Sequence, residues 1–596
     1  MTLIEEDDIS SIYYSCDEDE EESLQIDDID FSDDQGPFDI ILVDIRKTAE
    51  QGRVYCEKME ILGEQTVDYI ALSYRWGELD EQYVPATDDY YAHVISFHLY
   101  DFYALCRRML HEPDLKDVKY VWVDAICVDQ GNDQRKKATI YRMTDIYKNA
   151  TYIVAVPDLH KYSLITISDS NERMYEQVHK HRWYIYHFIH ENIQQLHRLD
   201  EDWRYRLKNP SDDTRQEYKK KLKVGRFLLD SEDKEIEAWD ILSKQNHNDD
   251  HNLQHWITMY RTITEKLLEE NRQERIKDVI YYLEGLFRDW SNRAWVISEY
   301  SIAKEQNKGK MKYWFIHLDK EDDFYGEPFF TLNFNRSDEL YPDIPDYWYF
   351  RVLGDYHNSI MSNTVKRTFL DMMLNSRATK NEDRFHAILP LSSKYDKIKR
   401  SKDTISSWNI SDMKSVKLKL YEILDMEDKL YLLQGCSKEI QTLLPTFVSK
   451  FDPDTIHYFT YVSSLRSSEF NFDFSDAIQF ESNSKCGDYQ GPCLHLRPKK
   501  YYIHPMDSLL QEEVKEYNRV LKELGFERMD ESFKFATISS FYADDDSDIT
   551  DLYEDLVIQL FGSITKNVWI LCSFDMDDER LSRQVHVNKD YVFSVY

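Results

Sequence analysis

The chain has 596 residues and a net charge of −37, long enough for about two to four separately cored domains. So acidic a chain lacks the phosphate-neutralising face that nucleic-acid binding requires, and no nucleic-acid partner is expected. Residues 1–35 hold 15 acids and no Lys, Arg or His, which leaves −22 of that charge on the other 561 residues. The amino-terminal residues carry neither a basic segment nor a long apolar one, so no secretory signal is expected. No apolar run approaches the ~18 residues of a membrane helix. Eight cysteines without regular spacing read as reduced thiols, hence a cytoplasmic protein. Cys486, Cys493 and His495 lie close together, but their spacing is not that of a zinc knuckle, and no metal site is expected there.

In chain order, residues 1–36 are acidic and lack apolar periodicity, a composition expected to stay disordered. Order is expected from Phe38–Ile45 (FDIILVDI), a strand-like run after Gly36-Pro37. Tyr69–Tyr74 reads as a strand, Tyr91–His111 as a helix and Lys119–Asp124 as a second strand. Ile140, Met143, Tyr147 and Ala150 mark one face of a helix over 134–149, and Thr151–Val156 is a third, β-branched strand. Strand and helix alternating on short connections predict an α/β domain with a parallel sheet and right-handed crossovers. From about 160 to 288 the sequence is charged, aromatic and helical in period, and reads as a helical insertion within a domain spanning 37–400. Lys312–Leu318 is then expected to return to the sheet. Residues 401–596 read as a separate mixed α+β region, helical around Lys417–Leu444 and richer in short aromatic strands after it. Its position suggests a sensing or regulatory part.

Three segments carry what chemistry the sequence shows: YIALSYRWGE (69–78), YVWVDAICVDQ (120–130) and RAWVISEY (293–300). The first two run an apolar strand into small polar residues and turn formers, namely Ser73, Tyr74, Arg75, Trp76 and Gly77, then Asp124, Cys127, Asp129 and Gln130. Ligands of parallel α/β sheets bind beyond the carboxyl ends of strands, so polar strand ends point to a pocket. The third segment places Glu299 on the apolar stripe of a short helix capped by Ser291 or Asn292, with Trp295, Val296, Ile302 and Ala303. A carboxylate there is either paired with an arginine such as Arg75 or Arg293, or it looks into a polar cleft. Residue by residue, the strand ends also read as loop structure: Asp124 capping its turn, Cys127 a small packed hydrophobe, Gln130 bonded to backbone. No G-x-G-x-x-G, G-x-x-x-x-G-K-[ST], G-x-S-x-G or H-E-x-x-H motif is present.

These blocks resemble the signatures of the heterokaryon-incompatibility (HET) domain family of fungi. The resemblance is carried by ALSYRWG, by VWVDAICVDQ with its M-x-x-I-Y-x-x-A helix, by RAWVISE, and by SRATKNEDRFHAILPLS (376–392), similar to a downstream Arg-Asp-[RK] segment. Asp129 stands where Asn is usual, Gln134 where Glu is usual and Ser298 where Gln is common. The resemblance implies a TIR-like (flavodoxin-like) fold and a role in nonself recognition and programmed cell death. It also implies NAD as a substrate, hydrolysed at the nicotinamide–ribose bond, with no resident cofactor. Glu299 would then be the catalytic carboxylate, matching a W-x-x-x-E context with Trp295. Ser73, Tyr74, Trp76, Gly77, Asp124, Cys127, Gln130 and Trp295 would line the nucleotide site. Self-association through the domain and an unidentified protein trigger follow from the same likeness. The alternative is a non-catalytic module that uses the same fold for signalling and self-assembly.

Overall fold

The computed structural model describes residues 38–61, 67–77, 81–87, 90–208, 226–228, 235–237, 253–306, 310–319, 327–334, 348–395, 405, 407–436, 443–449, 470–473, 477–505, 514–540, 557–572, 585–586 and 591–596. The acidic residues 1–36 lie outside them. The chain divides into a small unit, residues 1–40 with 58–67, and a large one, residues 41–57 with 68–596. Within the small unit Lys58 pairs with Asp39 at 2.7 Å.

A seven-stranded sheet forms from β1 (Phe38–Asp44), β2 (Cys56–Ile61), β3 (Tyr69–Tyr74), β4 (Tyr120–Trp122), β5 (Tyr152–Val156), β6 (Met311–Tyr313) and β7 (Phe330–Thr331), in the order β7-β6-β5-β3-β4-β1-β2. The four inner strands β4, β3, β5 and β6 are parallel, with Ile70 opposite Val121, Ser73 opposite Ala155 and Met311 opposite Ile153. β1 and β7 join antiparallel. The sheet is therefore mixed, not parallel throughout as the alternation of elements predicts. The parallel rule governs only strands joined by helical crossovers, and β1 and β7 are added outside them. β3 is buried at all six positions, as expected of a central strand covered on both faces, which explains its unbroken apolar run. The chain leaves β3 to build β4 on one side, then returns to build β5 on the other. The strand order thus reverses at β3, and ligands of parallel α/β sheets bind beyond the carboxyl ends of the strands at such a reversal.

Helices α1 (Ile45–Gln51), α2 (Leu99–His111), α3 (Asp124–Cys127) and α4 (Asp133–Asn149) follow the strands. Asn132 caps α4 by accepting from the backbone N–H of Gln134 and Arg135. The expected helix over 91–111 is shorter: Tyr91–Val94 pairs with Gln82–Pro85 in a two-stranded ribbon, and α2 begins only after His98. Tyr91–Val94 alternates exposed and buried positions, a period of two that suits a strand. The inserted region supplies α5 (Asp169–Ile189), α6 (Ile193–Lys208) and the 39-residue α7 (Leu253–Ser291). Helix α8 (Ala294–Gln306) carries Glu299. Ser291 ends α7 instead of capping α8. Asn292 and Arg293 form the corner, with the Asn292 carbonyl accepting from Arg377 N at 2.6 Å. The strand expected over 312–318 stops at Tyr313 and gives way to a 3-10 turn, Ile316–Leu318. Asp158 causes the break, because its carboxylate takes the backbone N–H groups of Ile316 and His317, both at 2.8 Å, that a strand would give to a neighbour.

Toward the carboxyl end an eight-stranded sheet is ordered Ile478–Cys486, Tyr489–Leu496, Phe593–Val595, Val568–Cys572, Val557–Ser563, Phe533–Ser539, Tyr502–Pro505 and Val585–His586. It is antiparallel except where Trp569 lies opposite Val595. Phe533, Phe535, Phe561 and Ile570 from one face pack with Val520 and Leu521 from the helix Asn518–Glu523. Cys486 and Cys493 lie on its first hairpin, and all seven cysteines among the described residues are free thiols. No helix among the described residues is long and apolar enough to cross a membrane.

Candidate functional site

The end of β3 brings Ser73 against two helices of the other chain segments. Trp290, near the end of α7, donates its indole N–H to Ser73 Oγ at 3.0 Å. The hydroxyl proton of Ser73 remains for Glu299, whose carboxyl hydrogen-bonds with both Ser73 and Tyr147 of α4. Tyr147 also reaches the Leu72 carbonyl, at 3.2 Å. Glu299 is only 6% exposed, and its Oε2 is buried with no hydrogen-bond partner. Burial pushes this carboxyl up to about 8, the hydrogen bonds of Ser73 and Tyr147 and the charge of Arg293 opposing the rise and the charge of Asp124 adding to it. At neutral pH Glu299 is therefore mainly protonated.

Asp124 opens α3 at the end of β4. It accepts from the Tyr74 hydroxyl, from the Trp76 indole N–H and from its neighbour Ala125 N at 2.8 Å. Burial raises this carboxyl as well, and these three donors and Arg293 pull it back. Asp124 thus locks the segment after β3 to the segment after β4, which explains the proximity of residues about 50 apart in sequence. Gly77 completes the turn at φ +91, a conformation that a side chain would strain, and its N–H bonds Ser96 Oγ at 3.1 Å.

Arg75, between Tyr74 and Trp76, leaves the strand end in a different direction. Its Nε lies 3.1 Å from Asp289 Oδ2 and its Nη1 3.1 Å from His160 Nε2, beyond the end of β5. Burial, then the nearby guanidinium, hold His160 down to about 4, so it is neutral. Asp289 also pairs with Arg377.

The remaining residues singled out from sequence are placed elsewhere around this centre. Cys127 is buried, accepts from Val123 N at 3.3 Å and has its thiol raised well above the ordinary range by burial, the opposite of an activated nucleophile. Gln130 is half-buried in the turn before α4. Trp295 is half-exposed on α8 and hydrogen-bonds with Asp383, whose carboxyl burial pushes up to about 6. Asp383 lies in the downstream SRATKNEDR segment, which therefore meets α8 directly. Two contributors were not singled out as site residues: Tyr147, which reads as one more apolar position on the α4 stripe, and Trp290, just ahead of the RAWVISEY block. Their periodicity marks a buried face but not the polar atom each carries inward.

No curated protein and no solved structure matches this chain. Residues 69–299 match the family model described as heterokaryon incompatibility protein (HET). The match starts at the first residue of β3 and ends on Glu299, so it spans the three segments assembled here. The chain carries a domain of the heterokaryon-incompatibility (HET) family.

Proposed function

We propose that the protein acts in nonself recognition and programmed cell death by hydrolysing NAD at the nicotinamide–ribose bond, with Glu299 as the carboxylate that meets the developing ribosyl cation. One observation carries this reading: a buried carboxyl at the end of the central strand, hydrogen-bonded through Ser73, with one oxygen left without a partner. An orphaned buried oxygen is costly and calls for a ligand or a charge to answer it. The inner strand order, β4-β3-β5-β6, is that of flavodoxin-like sheets and supports a TIR-like core whose ligand lies at the strand reversal. Loss of nicotinamide leaves an oxocarbenium-like ribose, which a carboxylate in a water-poor site stabilises. The free site holds Glu299 protonated. The positive nicotinamide ring arriving beside it favours the charged form and lowers its pKa.

The second reading is a non-catalytic module that signals by self-assembly. It is favoured by the enclosure of Glu299, which is buried beneath Ser73 and Tyr147 instead of standing open in a cleft. Nicotinamide release by the purified chain at high concentration, wild type beside Glu299→Gln, separates the two. The hydrolase reading expects release by wild type alone, with kcat/KM rising as the pH climbs toward about 8. Equal release by both proteins, or none from folded and self-associated wild type, rejects it.

A further inference from the structure

Near the end of β3 and the corner after α7 lie arginines that the hydrolytic reading leaves unused. Arg75 projects from the end of β3, at the reversal of strand order, and pairs with Asp289 at 3.1 Å. Arg377 pairs with the other oxygen of the same carboxylate. The backbone of Arg377 is stitched to the corner between α7 and α8, giving its carbonyl to Ala294 N at 2.9 Å and its N–H to the Asn292 carbonyl at 2.6 Å. Arg293, in that corner, lies close enough to Glu299 and Asp124 to lower both carboxyls. A fourth, Arg367, bonds the Asn292 side chain at 3.0 Å and is paired with Asp371 at 2.8 Å. One short corner therefore gathers four guanidiniums in a chain of net charge −37.

The exposure of the partners distinguishes the two pairings. Arg75 is 19% exposed and Asp289 23%, whereas Arg377 is 67% exposed. Arg377 is fixed through its backbone, and its side chain, though paired with Asp289, stands largely in solvent, where an anion can reach it. Guanidinium groups offer paired N–H donors that match phosphate oxygens.

We propose that Arg75 and Arg377, with Arg293 behind them, form the subsite for the diphosphate of a nucleotide ligand, and that Asp289 is the internal anion they hold when the subsite is empty. The assignment rests on the hydrolase reading for the identity of the ligand, and deepens it by naming the charge that the site recognises. An acidic protein otherwise repels a dinucleotide, and local cations at the strand reversal overcome that repulsion at short range.

The test is titration calorimetry of the full chain with ADP, which carries the diphosphate and no scissile nicotinamide bond. Wild type is expected to bind ADP more tightly than adenosine. Arg377→Ala should weaken ADP binding about tenfold or more, the usual loss for a charged hydrogen-bonding pair, with its thermal midpoint unchanged because the side chain is exposed. Asp289→Asn removes the competing anion and should tighten ADP binding. ADP binding that is absent, or indifferent to Arg377→Ala, overturns the subsite. So does looser binding by folded Asp289→Asn. The two readings fail separately. ADP binding that depends on Arg377, without nicotinamide release, keeps the subsite and removes the hydrolase. Release that depends on Glu299, with ADP binding indifferent to Arg377, does the reverse.

Discussion

Glu299 and Asp124 are both carboxyls taken from water into the same region, yet they are satisfied differently. Asp124 has a donor for each oxygen in Trp76 and Tyr74, with Ala125 N added. Glu299 has hydroxyl partners on one side and an orphan on the other. Its raised pKa makes stability depend on pH in a definite direction. Below about 4.5, its ordinary value, Glu299 is protonated folded or unfolded and contributes nothing. From there to about 8 the unfolded chain releases the proton and the folded one keeps it, so stability falls as pH rises. The cumulative loss is on the order of 3 kcal/mol by pH 7. Glu299→Gln copies the neutral form and escapes this loss. Its thermal midpoint should match wild type near pH 5 and exceed it by several degrees at pH 8. A gap that stays constant between those pH values would show that Glu299 is charged throughout. Asp124→Ala acts the other way, stranding the Tyr74 hydroxyl, the Trp76 indole and Ala125 N. It should cost about 3 kcal/mol at pH 7 in urea unfolding, and a loss below about 1 kcal/mol would rule out the locking role.

β3 and β4 are legible in the sequence because a strand buried on both faces is an unbroken apolar run, and the polar residues that stop it are those that the hydrogen bonds of Asp124 and Trp290 tie together. Glu299 stands out for a related reason, as a charge on an apolar stripe. The ribbon over 82–94 is masked by aromatic and aliphatic residues that suit helix and strand alike. The bond from Trp290 to Ser73 joins residues 217 apart, a distance over which periodicity says nothing. Neither could the end of β6 be read locally, since it is decided by Asp158 from the turn after β5. That carboxylate also binds His317 Nδ1 at 2.6 Å, both side chains being fully buried. His317 in turn packs edge-on against Tyr175 of α5 and Tyr282 of α7, with ring centroids 5.6 and 5.7 Å away. Asp158 is thus the point where the inserted helices are fastened to the sheet. Asp158→Ala leaves three buried donors unanswered and should cost about 3–5 kcal/mol. Asp158→Asn keeps an acceptor and should cost less. If Asp158→Ala unfolds within 1 kcal/mol of wild type, the insertion is held by its apolar contacts alone.

At the scale of the whole molecule, charge sets two effects against each other. A net charge of −37 repels itself in the compact state, and the repulsion is screened as the Debye length shortens from about 10 Å at 0.1 M salt to about 3 Å at 1 M. The fold should gain thermal stability with added NaCl across that range. The arginine corner responds in the opposite sense. Contacts such as Arg75 with Asp289, at 3.1 Å and about one-fifth exposed, are short and partly shielded, so they survive salt. Capture of an anion from solution by Arg377, 67% exposed, is long-ranged and does not. Raising NaCl should therefore increase the thermal midpoint while weakening ADP binding, both measured on the same protein. If ADP affinity instead rises with salt in parallel with the midpoint, the ligand is held by apolar contacts, and the arginines serve only to fasten α7 and α8 to the strand ends.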